Sequence, residues 1–159
     1  MRKLIVILCL LLVLIGMTAC GKSNNRAEES EISLASVDNV EVERYMIITV
    51  GAYSFDVLLE DNVTVNELLG ILEAGPIVIE MEDYSGFEKV GSLGRSLTRN
   101  DKQITTNRGD IVLYNGNNIV VFYGSNSWSY TRIGRVENLD NWEEALGSGD
   151  VIVELSIGE

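Results

Sequence analysis

Short apolar runs separated by turn residues dominate the chain from residue 44 onward. Tyr45-Met46-Ile47-Ile48-Thr49-Val50 and Tyr53-Ser54-Phe55-Asp56-Val57-Leu58-Leu59 flank Gly51-Ala52, the pattern of two strands around a tight hairpin turn. Thr64-Val65-Asn66-Glu67 has the spacing of a capping box, in which hydroxyl and carboxylate satisfy the first free amides of a helix. Val65, Leu68, Leu69 and Leu72 follow at helical spacing, and Gly75-Pro76 ends the element. Ile77 to Met81 reads as a strand. Asp110 to Tyr114 and Ile119 to Tyr123 flank Asn115-Gly116-Asn117-Asn118, a second hairpin, and Trp128 to Val136 continues as strand. Asp140-Asn141-Trp142-Glu143 predicts another capped helix, ending at Gly147. In the last strand Val151, Val153, Leu155 and Ile157 face one way and Glu154 and Ser156 the other. Seven or more short strands with two brief helices predict a mainly β fold, a closed or nearly closed antiparallel barrel over residues 44–159.

One stretch breaks this pattern. Asp83 to Arg108 has few apolar pairs and reads as a long loop, of the kind that is functional or mobile. A second unusual run is Phe122 to Arg132, where strand alternation puts Trp128, Tyr130 and Arg132 on one face.

The N-terminal residues have a different character. Arg2 and Lys3 precede an uncharged apolar stretch, Leu4 to Ile15, which fits a secretory signal and falls short of the roughly 20 residues of a transmembrane helix. Met17-Thr18-Ala19-Cys20 resembles the bacterial lipobox, Leu-(Ala/Ser)-(Gly/Ala)-Cys, with Met in place of Leu. The resemblance implies that 1–19 is a signal peptide and that Cys20 is acylated to become the mature N-terminus, which places the chain at the cell membrane facing outside the cytoplasm. Two or three acyl chains anchor firmly, where one alone binds marginally. Residues 20–43 then form an acylated cysteine and an acidic, disordered tether, on the order of 25–30 Å long as a flexible coil.

Composition removes several functions. The 159 residues include no histidine, so Ser-His-Asp and Cys-His catalysis and imidazole metal sites are excluded. Cys9 falls within the leader, leaving Cys20 without a disulfide partner. A net charge of -12 argues against nucleic-acid binding, which uses cationic side chains to displace phosphate counterions. Glu80, Glu82, Asp83 and Glu88 are acids that either hold a hard cation or form a solvated face. With no EF-hand pattern, the solvated face is the expectation, and no metal or cofactor is expected. Gly86, Gly91 and Gly94 lack the spacing of a dinucleotide fingerprint.

Tyr84-Ser85-Gly86-Phe87-Glu88-Lys89-Val90-Gly91-Ser92-Leu93-Gly94, then Gly109 to Tyr114, Phe122 to Arg132 and Ala145 to Val151, together resemble the bacterial cyclophilin-like domain family. The likeness covers roughly Met46 to Ser156. It implies a cyclophilin-like closed eight-stranded barrel with a helix closing each end. Cyclophilins isomerise X-Pro bonds with an arginine beside an apolar pocket, and Gly86-Phe87-Glu88-Lys89 stands where their pattern has Gly-Phe-His-Arg. Lysine lacks the planar guanidinium fork. Phe87, Tyr123, Trp128 and Tyr130 are either barrel core and sheet surface or the aromatic wall of a groove, with Arg95 or Arg132 as its polar anchor. The leading expectation is a non-catalytic module that binds a peptide or small ligand. The alternative is a weak peptidyl-prolyl isomerase in which Arg95 or Arg132 replaces the usual arginine.

Overall fold

The computed structural model describes residues 43–158; the expected signal peptide, Cys20 and nearly all of the expected tether lie outside the described residues. Two strands, β1 (Tyr45–Val50) and β2 (Tyr53–Leu59), form the first hairpin across Gly51-Ala52. The helix α1 (Val63–Leu72) follows, then β3 (Ile77–Tyr84), β4 (Glu88–Ser92), β5 (Lys102–Thr105), β6 (Asp110–Tyr114), β7 (Asn118–Phe122) and β8 (Ser127–Val136). A short helix α2 (Trp142–Leu146) and the final strand β9 (Val151–Ile157) complete the order.

The sheet runs β2-β1-β9-β3-β4-β7-β6-β8, all neighbours antiparallel, and β2 pairs with β8 to close an eight-stranded barrel. Closure is tight at Gly134, where a Cβ would lie 2.4 Å from the Leu58 carbonyl oxygen. The ninth strand, β5, stands outside the barrel and pairs with the first half of β8 through Lys102↔Tyr130 to Thr105↔Ser127. This arm is the fold's departure from a plain barrel.

Strand alternation sorts the side chains into two apolar clusters. Ile48, Met81, Ile111, Val121, Ile133 and Val153 point inward with the rest of the barrel core, and Val65, Leu68 and Leu72 of α1 and Trp142 and Leu146 of α2 join them. Trp142 is fully buried, meets Phe55 edge-on at 4.8 Å, and donates Nε1–H to the Phe122 carbonyl at 3.0 Å. Val112, Val120, Phe122 and Tyr130 point out of the barrel and form a second cluster, covered by Phe87, Val90, Ile104 and Tyr114. Burying apolar side chains on both faces of β6 and β7 explains why these strands read as continuous apolar runs.

The barrel, both hairpins and both helices follow the sequence pattern; three local expectations need correction. The expected loop from Asp83 to Arg108 contains β4 and β5, so its longest irregular stretch is Leu93 to Asp101. The box at Thr64 and Glu67 does not cap α1. Asn62 does, its Oδ1 accepting from the Val65 amide at 2.9 Å. Thr64 and Glu67 are instead engaged by the irregular segment: Thr64 Oγ1 donates to the Thr98 carbonyl at 2.6 Å, and Glu67 accepts from the Thr98 amide and hydroxyl. Those two bonds hold the Glu67 carboxyl below its ordinary range. At α2 the expected box is also absent, because Asn141 occupies the left-handed region at φ 63° and makes no side-chain cap.

Candidate functional site

The outer face of β3 and β4 forms the floor of a groove of about 980 Å³. The start of β9, with Asp150 and Ile152, lines it, as do the first residues of β8 and the β6–β7 hairpin. Trp128 is 55 % exposed, and Tyr130 is buried, meeting Tyr114 and Phe122 edge-on at 5.9 and 5.7 Å. At the floor, β4 crosses β3 so closely that a Cβ on Gly91 would lie 2.4 Å from Ile79 Cγ2 and 2.6 Å from the Glu80 carbonyl oxygen. Glycine is what lets the two strands approach there.

Adjacent residues of β4 have opposite destinies. Glu88 faces the groove and is only 5 % exposed, and its Oε2 has no hydrogen-bond partner among the described residues. Burial pushes its carboxyl up to about 7. Lys89 faces the other way and is fully buried. Its Nζ donates to Asp83 Oδ2 at 2.6 Å and to the carbonyls of Gly147 and Gly149 at 3.1 and 2.6 Å, and lies 5.1 Å from the Tyr123 ring centroid. Asp83 also accepts from the Tyr123 hydroxyl at 2.6 Å. Hydrogen bonds from Lys89 and then Tyr123 hold the Asp83 carboxyl down, while burial, the bond to Asp83 and the neighbouring negative charge push the Tyr123 phenol up to about 12. This network ties the β3–β4 turn to the segment after α2.

The six candidate groove residues therefore separate. Trp128 and Tyr130 line the groove, and Phe87 packs into the outer cluster beneath it. Tyr123 belongs to the Asp83–Lys89 network. Arg132 sits beyond the arm, where β8 has entered the barrel wall. There it pairs at 3.4 Å with Asp110, which is fully buried and also bound by Arg135 at 2.9 Å and by the Asn107 amide. The β-bulge in the β6–β8 ladder falls after Arg132, at Ile133, so Arg132 keeps the outward side it shares with Trp128 and Tyr130 but is held by Asp110 and does not line the groove. Arg95 is exposed in the Leu93–Asp101 segment and does not line the groove. The sequence pattern grouped Glu88 with Glu80, Glu82 and Asp83 as a solvated face; the structure instead buries Glu88 and places it in the groove lining with Glu80 and Glu82. Among the described residues, no cluster of three or more metal-ligating side chains occurs.

A closed eight-stranded antiparallel barrel with one extra strand and two helices is consistent with a cyclophilin-like fold. The profile described as the Cyclophilin-like family matches residues 48–156, and the chain belongs to that family. Among solved structures, it is similar to a hypothetical protein from Archaeoglobus fulgidus determined in solution, at 18 % identity and a TM-score of 0.54, over 74 % of this chain and 96 % of that one. That likeness concerns the fold alone. No curated protein matches the chain.

Proposed function

We propose that this is a membrane-anchored, extracytoplasmic cyclophilin-like lipoprotein whose barrel is a non-catalytic module binding a peptide segment or small ligand in the β3–β4 groove. The observation that carries the binding reading is the groove itself, with a half-exposed tryptophan at its wall and a buried, unpartnered carboxyl at its floor. Large aromatic surface left open to solvent beside a concave site is where ligands dock. The membrane part of the reading rests on the leader and lipobox sequence. No helix of the described residues is long and apolar enough to cross a membrane.

Three placements weigh against the isomerase alternative. Lys89, at the position of the arginine in the cyclophilin pattern, is buried and turned away from the groove. Arg132 is engaged by Asp110, and Arg95 lies outside the groove lining. The full-length chain in non-ionic detergent provides the test. A panel of peptides, with and without proline, is expected to perturb the Trp128 indole resonance of the wild type and to lose binding in Trp128→Ala. Acceleration of prolyl cis/trans exchange that disappears in Arg95→Ala or Arg132→Ala overturns the non-catalytic reading. Labelled palmitate is expected to enter the wild type and not Cys20→Ser, and failure to enter either removes the anchor.

A further inference from the structure

Folded interiors rarely leave a carboxylate oxygen desolvated and unpaired. Among the described residues Glu88 Oε2 is the buried side-chain oxygen in that state, and the side chain that carries it lines the groove. Its neighbour in sequence cannot serve it, since Lys89 is held on the opposite face of the strand by Asp83 and two carbonyls. The groove lining adds Glu80, Glu82 and Asp150, and includes no lysine or arginine. Groups facing Glu88 from the packed elements are these two glutamates and Tyr84 on β3, Tyr114 on β6, Tyr130 on β8 and Asp150 ahead of β9. The cation closest by register is Lys102, opposite Tyr130 on β5, and it lies outside the lining.

Resting on the binding-module reading, we propose that the groove selects ligands carrying an alkylammonium or guanidinium group, which seats on Glu88 with its stem against Trp128 and Tyr130. Such a group brings only donors, three on an ammonium and five on a guanidinium, to a carboxylate that has only acceptors. The aromatic rings supply faces for the cation and for its methylene stem. Carboxylates at the rim raise the local concentration of cations and repel anions. A neutral ligand leaves the charged Glu88 unpaired, and an anionic one meets four acids. A basic peptide side chain and a small free amine share this chemistry.

The two tryptophans make the test local, because Trp128 stands in the groove and Trp142 is sealed in the barrel core. The full-length chain in non-ionic detergent at pH 8 is titrated with 1,5-diaminopentane and with blocked Ala-Lys-Ala and Ala-Arg-Ala, and then with the acetyl-lysine and glutamate counterparts. The lysine and arginine peptides are expected to move the Trp128 indole resonance with at least tenfold higher affinity than the acetyl-lysine and glutamate peptides. Glu88→Gln is expected to reduce that affinity at least tenfold, with the Trp142 resonance in place to show an intact barrel. Diaminopentane binding as tightly as the peptides identifies a small amine as the ligand source; tighter peptide binding identifies a basic side chain. Equal affinity for the acetyl-lysine peptide, or cation binding unchanged in Glu88→Gln, overturns the selection of cations and leaves the binding module standing. If none of these probes, nor any member of the peptide panel, moves Trp128, both readings fall together.

Discussion

Replacing Glu88 by glutamine should make this barrel more stable at pH 8 and change it far less at pH 5. The glutamate carboxyl, ordinarily at 4.5, is pushed to about 7 in the fold by burial. Because the folded value is raised, the native state prefers the protonated form. The stability linked to Glu88 is therefore complete below pH 4.5, declines as pH rises toward 7, and levels off above it. The shift amounts to roughly 3 kcal/mol if the site were sealed, and about 2–3 kcal/mol with water entering the groove. That loss corresponds to about 10 °C in Tm for a domain of this size. Few other groups titrate in the same window. The chain has no histidine, the lowered carboxyls of Glu67, Asp83 and Asp101 act below about pH 4.5, and the raised phenols of Tyr45 and Tyr123 act near 12. Urea unfolding of wild type and Glu88→Gln at pH 5 and 8, followed by the fluorescence of core Trp142, measures the difference. Glutamine keeps the shape and removes the titration. A wild-type-to-variant difference that is the same at both pH values, within 0.5 kcal/mol, would falsify the assignment of Glu88 as a desolvated, unpaired acid.

Other substitutions separate architecture from site. Lys89→Met removes a buried charge with three bound acceptors and should destabilise the barrel by roughly 3 kcal/mol in urea unfolding, because Asp83 and two carbonyls lose their donor. Gly91→Ala places a methyl against a backbone oxygen and should cost about 1–3 kcal/mol in the same assay, with shifts in β3 and β4 resonances. Asn62→Ala should cost about 1–2 kcal/mol, through loss of the α1 cap and of the bond from Asn62 Nδ2 to the Arg132 carbonyl. Thr64→Ala should leave amide protection in the first turn of α1 in place, whereas the capping-box reading requires that turn to fray.

The barrel was legible because most of its strands obey one rule. β1 and β9 alternate in burial, β6 and β7 are apolar after their first residues, and glycine or asparagine marks the hairpin turns. β4 escaped for a physical reason: its sequence, Glu-Lys-Val-Gly-Ser, puts an acid on the buried outer face and a lysine on the buried inner one. A periodicity argument reads two adjacent charges as loop. β5 is short and largely exposed, held by its ladder to β8 and by Ile104, and so carries no hydrophobic signature of its own. The capping boxes misled because three residues of spacing say nothing about competitors, and Thr98 lies 31 positions from Glu67. Of the groove, Trp128 and Tyr130 were visible in strand register. Arg132 does share that face, but alternation fixes a side of the sheet and not the position along it, and its partner Asp110 lies 22 residues away.

Glu88 and Lys89 are the two residues that make β4 unreadable, and the fold treats their charges differently. Both charges are buried, but Lys89 is answered three times over by the protein itself, so its role is complete when the chain has folded. Glu88 is not answered, and a glutamine there would relieve the fold at neutral pH. Protonation removes the cost of this unanswered charge at low pH; once Glu88 is ionised, the proposed ligand supplies a donor from outside the chain that removes it. Binding of that donor favours the ionised carboxylate. Occupancy should then release protons near pH 7 and remove the stability loss measured between pH 5 and 8. A ligand that binds the groove without doing either is not the one for which Glu88 is kept.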